Sequence, residues 1–265
     1  MRSLILIGGF VFTCLLLGCD FPESPQTVTV SNPPAMRPSK PSDINTLQEA
    51  MATIMTIVRE DLHFPVVDPL QVLLYKNAAS FASYGQGWST LPIDVDNISG
   101  FTRSGEIHID MEKTQGKTWG RLIDLLAHEY GHTIHQIQAV PRNRRTANWF
   151  SEGFAGWIAA RVLHVLGWQD YALALERAKL ELINNHDHHH RLRDLDWDWQ
   201  ALSERPNGYI ETYVLAFFAT ARLIDQQGLP ATIEYLKSGN FKESFHMSYE
   251  AFADAFEVHL SSLIP

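Results

Sequence analysis

Residues 128–132 read His-Glu-Tyr-Gly-His. On a helix, side chains four apart lie on one face, so the imidazoles of His128 and His132 can reach a single ion. Glu129 sits one position round, near enough to hold a water at that ion without ligating it. Two neutral ring nitrogens suit zinc, which for catalysis takes a third protein ligand and keeps one position open. The five residues alone are moderately specific, so their surroundings decide. Leu122, Ile123, Leu125, Leu126 and Ala127 precede them and Ile134 and Ile137 follow, the apolar stripe of a helix packed on a core.

The third ligand is sought in Asn148-Trp149-Phe150-Ser151-Glu152-Gly153-Phe154-Ala155, at the start of the next helical run. Glu152 lies among apolar residues, where an unpaired carboxylate is costly and a metal would satisfy it. The alternative is a helix-start glutamate stabilised by the helix dipole. His135 continues the face of His128 and His132, but on an unbroken helix it stands about 10 Å along the axis from His128, too far to join the same ion. Asp124, one turn before His128, is either a partner for a ligand histidine or a solvent-facing charge. The histidine-dense stretch His186 to His190 is either a metal scavenger or a hydrated loop. Arg142, Arg144 and Arg145 form a small basic patch that suits anionic lipid or an acidic substrate, or is a solvated loop.

An H-E-x-x-H followed by a Glu-Gly-x-Ala helix resembles the gluzincin metallopeptidases, particularly the peptidase-MA-like group related to aminopeptidase catalytic domains. The resemblance extends from Leu70 to Ser262. Tyr209 to Phe218, running on to Gly228, looks like the family's later helix, whose tyrosine stabilises the oxyanion. Counting back from Gly228, Tyr213 fits that place, with Tyr209 a turn earlier as runner-up; packing the helix is the alternative role for both. The resemblance implies a zincin-like metallopeptidase domain with an edge strand over the zinc helix. In it His128, His132 and Glu152 hold one Zn2+ ion and Glu129 is the general base. A peptide or protein substrate would add to an exposed strand edge, for which Glu106, Ile107, His108, Ile109 and Asp110 are the candidates.

Two departures qualify this. The Gly-x-Met-x-Asn segment by which aminopeptidase-type relatives grip a free amine is missing, so an endopeptidase is expected. Gly156 stands where thermolysin-like members carry an aspartate. Rival readings are a relative that binds peptides or proteins without catalysis, and a zinc-handling lipoprotein using His186 to His190. The complete set His128, Glu129, His132 and Glu152 favours the enzyme, since a binding module has no need of Glu129.

Positioning these residues takes a small sheet followed by helices, an α+β arrangement. Ile44 to Leu62 has helical spacing with Asp43 as a plausible N-cap. Leu70 to Tyr75 reads as a strand, and residues 85–105 read as loops. Ile107 and Ile109 alternate with Glu106, His108 and Asp110, the period of a strand with one wet face. Helices are then expected over 117–139, 148–166, 169–184, 209–227, 230–238 and 248–262. Pro141 ends the first of these, and Gly228-Leu229-Pro230 separates the fourth and fifth.

Thirty acidic residues stand against 21 basic ones, a net charge of −9. A surface of that sign repels phosphate backbones, so nucleic acid is not an expected partner. Both cysteines, Cys14 and Cys19, fall in the N-terminal apolar stretch. Arg2 and the apolar run Leu4 to Leu17 read as an export signal too short for a membrane span. Leu16-Leu17-Gly18-Cys19 resembles the lipobox of bacterial lipoproteins, which implies removal of residues 1–18 and lipid on Cys19. Asp20 resembles an inner-membrane retention signal, placing the protein on the periplasmic side. The alternative is an ordinary signal peptide or a short anchor helix with an incidental cysteine. Residues 19–43, rich in Pro and Ser, read as lipid attachment and spacer, and residues 44–265 as one domain.

Overall fold

The computed structural model describes residues 24–31, 33–86, 99–138, 146–185, 191–197, 202 and 208–263, without the side chains of residues 85, 86 and 209–211. Strands β1 (Gln26–Val30), β2 (Leu70–Tyr75), β3 (Gly100–Arg103) and β4 (Glu106–Asp110) form one sheet in the order β1-β2-β4-β3. β2 and β4 run parallel, and the other two pairings are antiparallel. Ser104 and Gly105 turn β3 into β4 with φ of 52° and 82°, the double positive φ of a two-residue hairpin loop.

Alternation along the strands sorts the two faces. Leu70, Val72, Ile107 and Ile109 join the main core beneath the helices. Leu73 and Tyr75 point the other way and meet Phe81 and Phe101 in a smaller cluster, with Phe81 coming from α2 (Ala78–Gln86). α1 (Leu47–Glu60) and α4 (Trp119–Gln138) pack on the inner face through Met51, Ile54, Val58, Ile123, Leu126 and Tyr130. The Tyr130 hydroxyl also accepts a hydrogen bond from the Val67 amide at 3.0 Å, fixing α4 to the segment before β2.

α3 (Met111–Thr114) follows β4, and α5 (Asn148–Val165) is the central helix. Trp149, Phe150, Phe154, Trp157, Ile158 and Val162 bury apolar surface on every side of α5, the pattern of a helix enclosed by others. It packs between α4 and α8 (Gly208–Ser238), with α6 (Tyr171–Asn184), α7 (Asp194–Trp197), α9 (Phe241–Phe245) and α10 (Tyr249–Leu263) completing the helical part. Two glycines allow the close crossings. A Cβ on Gly131 would come within 2.7 Å of the Ala155 Cα, and one on Gly153 within 2.2 Å of the Ala216 carbonyl oxygen.

The α+β class and the helix positions agree with the sequence reading, the expected break falling at Gly228 with φ 82° inside α8. Four expectations are corrected. Part of the supposed spacer is folded: Val28 and Val30 are buried and β1 pairs with β2, because Thr27-Val28-Thr29-Val30 alternates β-branched residues that suit a half-buried strand. Asp43 is not the cap of α1. Thr46 caps it reciprocally with Glu49, while Asp43 accepts bonds from Ser39 and Lys40. The stretch expected as loop contains β3. And β4 is an inner strand, held by β2 on one side and β3 on the other, so it offers no free edge. Among the described residues the edge on that side is β3. Of the described helices, none is long and apolar enough to cross a membrane.

Candidate metal centre

α4 presents His128 and His132 one turn apart, and the first turns of α5 present Glu152 opposite them. Their donor atoms form a nearly equilateral triangle. His128 Nε2 and His132 Nε2 are 3.2 Å apart. Glu152 Oε2 lies 3.4 Å from the first and 3.3 Å from the second. Ligands about 2.0–2.1 Å from a tetrahedrally held zinc ion stand about 3.3 Å from one another, so the donor set fits such an ion. These three residues are the one group among those described that meets metal-binding distances. Side-chain exposures of 23% for His128 and 22% for Glu152 leave the triangle reachable from solvent. Without a metal the same contacts act as an ion pair. Burial alone would lower the His132 pKa, but the Glu152 carboxylate outweighs it and raises the ring to about 9. Burial likewise opposes ionisation of Glu152, yet the two imidazoles hold it well below the usual carboxylate range.

Glu129 is only 4% exposed. Burial pushes its pKa up, against the pull of His128, His132 and a hydrogen bond from Thr102. The Thr102 hydroxyl lies 2.9 Å from Glu129 Oε2 and 2.8 Å from the Glu129 carbonyl oxygen. β3 therefore runs directly beside the candidate base. Gly100 brings its backbone just as near, since a Cβ there would stand 3.4 Å from Glu129 Cγ. Gln136, further along α4, ties down the same hairpin: its amide donates to the Thr102 carbonyl at 3.0 Å and accepts from the Gly105 amide at 3.2 Å.

His135 does not point at the triangle. Its Nδ1 lies 3.0 Å from Ser151 Oγ and its Nε2 2.6 Å from Thr146 Oγ1. Ser151 Oγ in turn is 3.4 Å from His132 Nδ1. Burial, followed by the neighbouring His132, pushes the His135 ring down to about 4, so it is neutral at neutral pH. Asp124 is half-buried and its pKa is raised by burial. It makes no hydrogen bond to His128. The Tyr213 ring approaches that of His128, with centroids 6.3 Å apart and planes at 40°. Tyr209 belongs to α8, but its side chain lies outside the described residues, as do Cys19, Asp20, the arginines 142, 144 and 145, and His186 to His190.

The strand proposed to bind substrate is interior. Ile107, His108, Ile109 and Asp110 are all buried. His108 stacks on Phe101 at 4.4 Å and 7°, its Nδ1 is 2.9 Å from the Tyr75 hydroxyl, and burial lowers its pKa to about 4. Thr102, Gln136, Thr146 and Ser151 escaped the sequence reading because no motif marks them; each is defined by a contact with a residue remote in sequence. Comparison of the chain with protein-family models, with curated proteins and with solved structures finds no match.

Proposed function

We propose that this protein is a zinc metallopeptidase of gluzincin type, held outside the cytoplasm by lipid on Cys19. The observation that carries the reading is the triangle of His128 Nε2, His132 Nε2 and Glu152 Oε2, with the Glu129 carboxylate packed beside it. A small sheet laid along the metal-site helix, followed by a helical part, supports a zincin-like architecture.

Zinc in that triangle supplies Lewis acidity, polarising a carbonyl and lowering the pKa of water. Glu129 takes a proton from the attacking water and delivers it to the leaving amine; burial raises its pKa towards the range such a base needs. Thr102 holds that carboxylate in place. Tyr213, beside His128, donates to the developing oxyanion, an interaction stronger in the transition state than in the ground state. The substrate backbone adds along β3, whose outer edge passes Glu129. Gln136 already occupies the Thr102 carbonyl, so strand addition is confined to the Gly100 end.

The test is zinc stoichiometry and hydrolysis of a peptide library, for the wild type and for Glu129→Gln. One zinc per chain in both, with hydrolysis by the wild type alone, is expected. One tight zinc without any hydrolysis would instead make the chain a peptide-binding relative, and several weak zincs a metal carrier. Cys19→Ser is expected to shift the protein from the membrane fraction to the soluble one.

A further inference from the structure

Behind His132 a line of polar atoms leads away from the triangle: His132 Nδ1, Ser151 Oγ, His135 Nδ1 across the same hydroxyl, then His135 Nε2 and Thr146 Oγ1. Proton counting fixes the first step of this line when a metal is bound, taking the triangle as the metal site proposed above. A ring nitrogen that gives its lone pair to a cation carries no proton. His132 must then keep its proton on Nδ1 and donate it to Ser151 Oγ. A serine hydroxyl has one proton and two lone pairs; with one lone pair taken by His132, the arrangement that uses the proton within the line gives it to His135 Nδ1. In that arrangement His135 is neutral, carries its own proton on Nε2 and donates it to Thr146 Oγ1. Reversing the line would place the His132 proton on Nε2, where the ligand lone pair has to be.

We propose that Ser151 and His135 are positioning residues that hold the His132 ring in the tautomer and orientation required of a metal ligand, with Thr146 closing the line. The placement of these groups in the fold supports this. Ser151 directly precedes Glu152, so adjacent residues near the start of α5 supply a ligand and the support of another ligand. His135 lies one turn after His132 on α4 and reaches Ser151 and Thr146 across the α4–α5 crossing. Seating the start of α5 on α4 thus sets the third donor and the tautomer of the second in one step. A histidine ligand whose other nitrogen is held in this way is a stronger and better aimed donor.

The experiment measures zinc affinity by competition with a chromophoric chelator, and the melting temperature of the metal-free protein, for wild type, Ser151→Ala, His135→Phe, His135→Gln and the double variant Ser151→Ala/His135→Phe. Ser151→Ala and His135→Phe are each expected to weaken zinc binding roughly 10–100-fold. His135→Gln, whose carboxamide can accept from Ser151 and donate to Thr146, is expected to recover most of that loss. Because the two groups act in series, the double variant should bind about as weakly as the worse single one, whereas independent packing effects would add. Wild-type affinity in Ser151→Ala and His135→Phe, or full additivity in the double variant, overturns the proposal. If the wild type itself binds no zinc, the triangle is not the metal site and the positioning role falls with it. If zinc affinity falls only in step with the melting temperature of the metal-free protein, and His135→Gln restores neither, the residues merely pack the crossing and the proposal is likewise overturned.

Discussion

Thr102 and Glu129 meet through one hydroxyl, which lies 2.9 Å from the Glu129 carboxylate and 2.8 Å from its carbonyl oxygen. The contact links β3, the strand proposed to receive substrate, to the side chain proposed to move the proton. Removing the hydroxyl should therefore loosen the base without touching the metal. Thr102→Val is expected to lower kcat roughly tenfold at unchanged zinc content, and Thr102→Ser to retain most activity. Steady-state kinetics with metal analysis decides it; a Val variant of full activity would remove Thr102 from the machinery.

Glu152 is the one charged donor of the triangle. Glu152→Gln should weaken zinc binding by more than the roughly 10–100-fold that losing an outer partner costs. Titration with zinc against a chelator measures this, and near-native affinity would mean that the carboxylate does not ligate.

Tyr213→Phe keeps the ring beside His128 and removes only the hydroxyl. If that hydroxyl meets the oxyanion, kcat falls roughly 100-fold while KM stays close to wild type. A change confined to KM would assign Tyr213 to substrate binding instead.

The metal-free protein should respond to pH through the His132–Glu152 pair. The His132 ring is raised from 6.5 to about 9, so its contribution to stability is complete below pH 6.5 and is lost as pH rises through 9. Glu152 is depressed from 4.5, so its contribution is present above that value and is lost as pH falls. Melting in the presence of a chelator should therefore show the metal-free protein losing stability between pH 6.5 and 9. Zinc competes with protons for the same rings, so the rise in melting temperature on adding zinc should grow over that range. A metal-free melting temperature that climbs across this window would contradict the pairing.

Gly153 stands where α5 meets α8, and a methyl there would drive into the Ala216 carbonyl and Thr220 Oγ1, each 2.2 Å away. Gly153→Ala is expected to cost about 3 kcal/mol, a fall in melting temperature of roughly 6–12 °C for a domain of this size. Calorimetry checks it, and an unchanged melting temperature would show that the two helices can part at no cost.

The His128–His132–Glu152 triangle was legible because helical periodicity is local. His128 and His132 share a face by spacing alone, and Glu152, a carboxylate in an apolar run, reads as a ligand only with that motif upstream. Strand order was not legible, since Glu106 to Asp110 reads the same whether it lies at an edge or inside a sheet; only the pairing with β2 and β3 decides. Proline-rich surroundings hid β1, although Thr27-Val28-Thr29-Val30 carries the alternation of a strand. Thr102, Ser151 and Thr146 are ordinary hydroxyl residues whose importance comes entirely from what the fold sets beside them.

The place of β1 in the sheet changes the geometry of anchoring. With the chain pinned from Gln26 onward, seven residue steps remain between that point and the proposed lipid on Cys19, at most about 25 Å of extended chain. A long leash from Cys19 to Ser42 would let the domain sample the surrounding compartment; with the proposed lipid, this short one would keep it close to the headgroups. Distance measurements from a spin label on the sheet to the bilayer surface would report the difference. On the proposed peptidase reading, substrates would then be selected first by height, favouring chains that emerge from or lie along the same membrane.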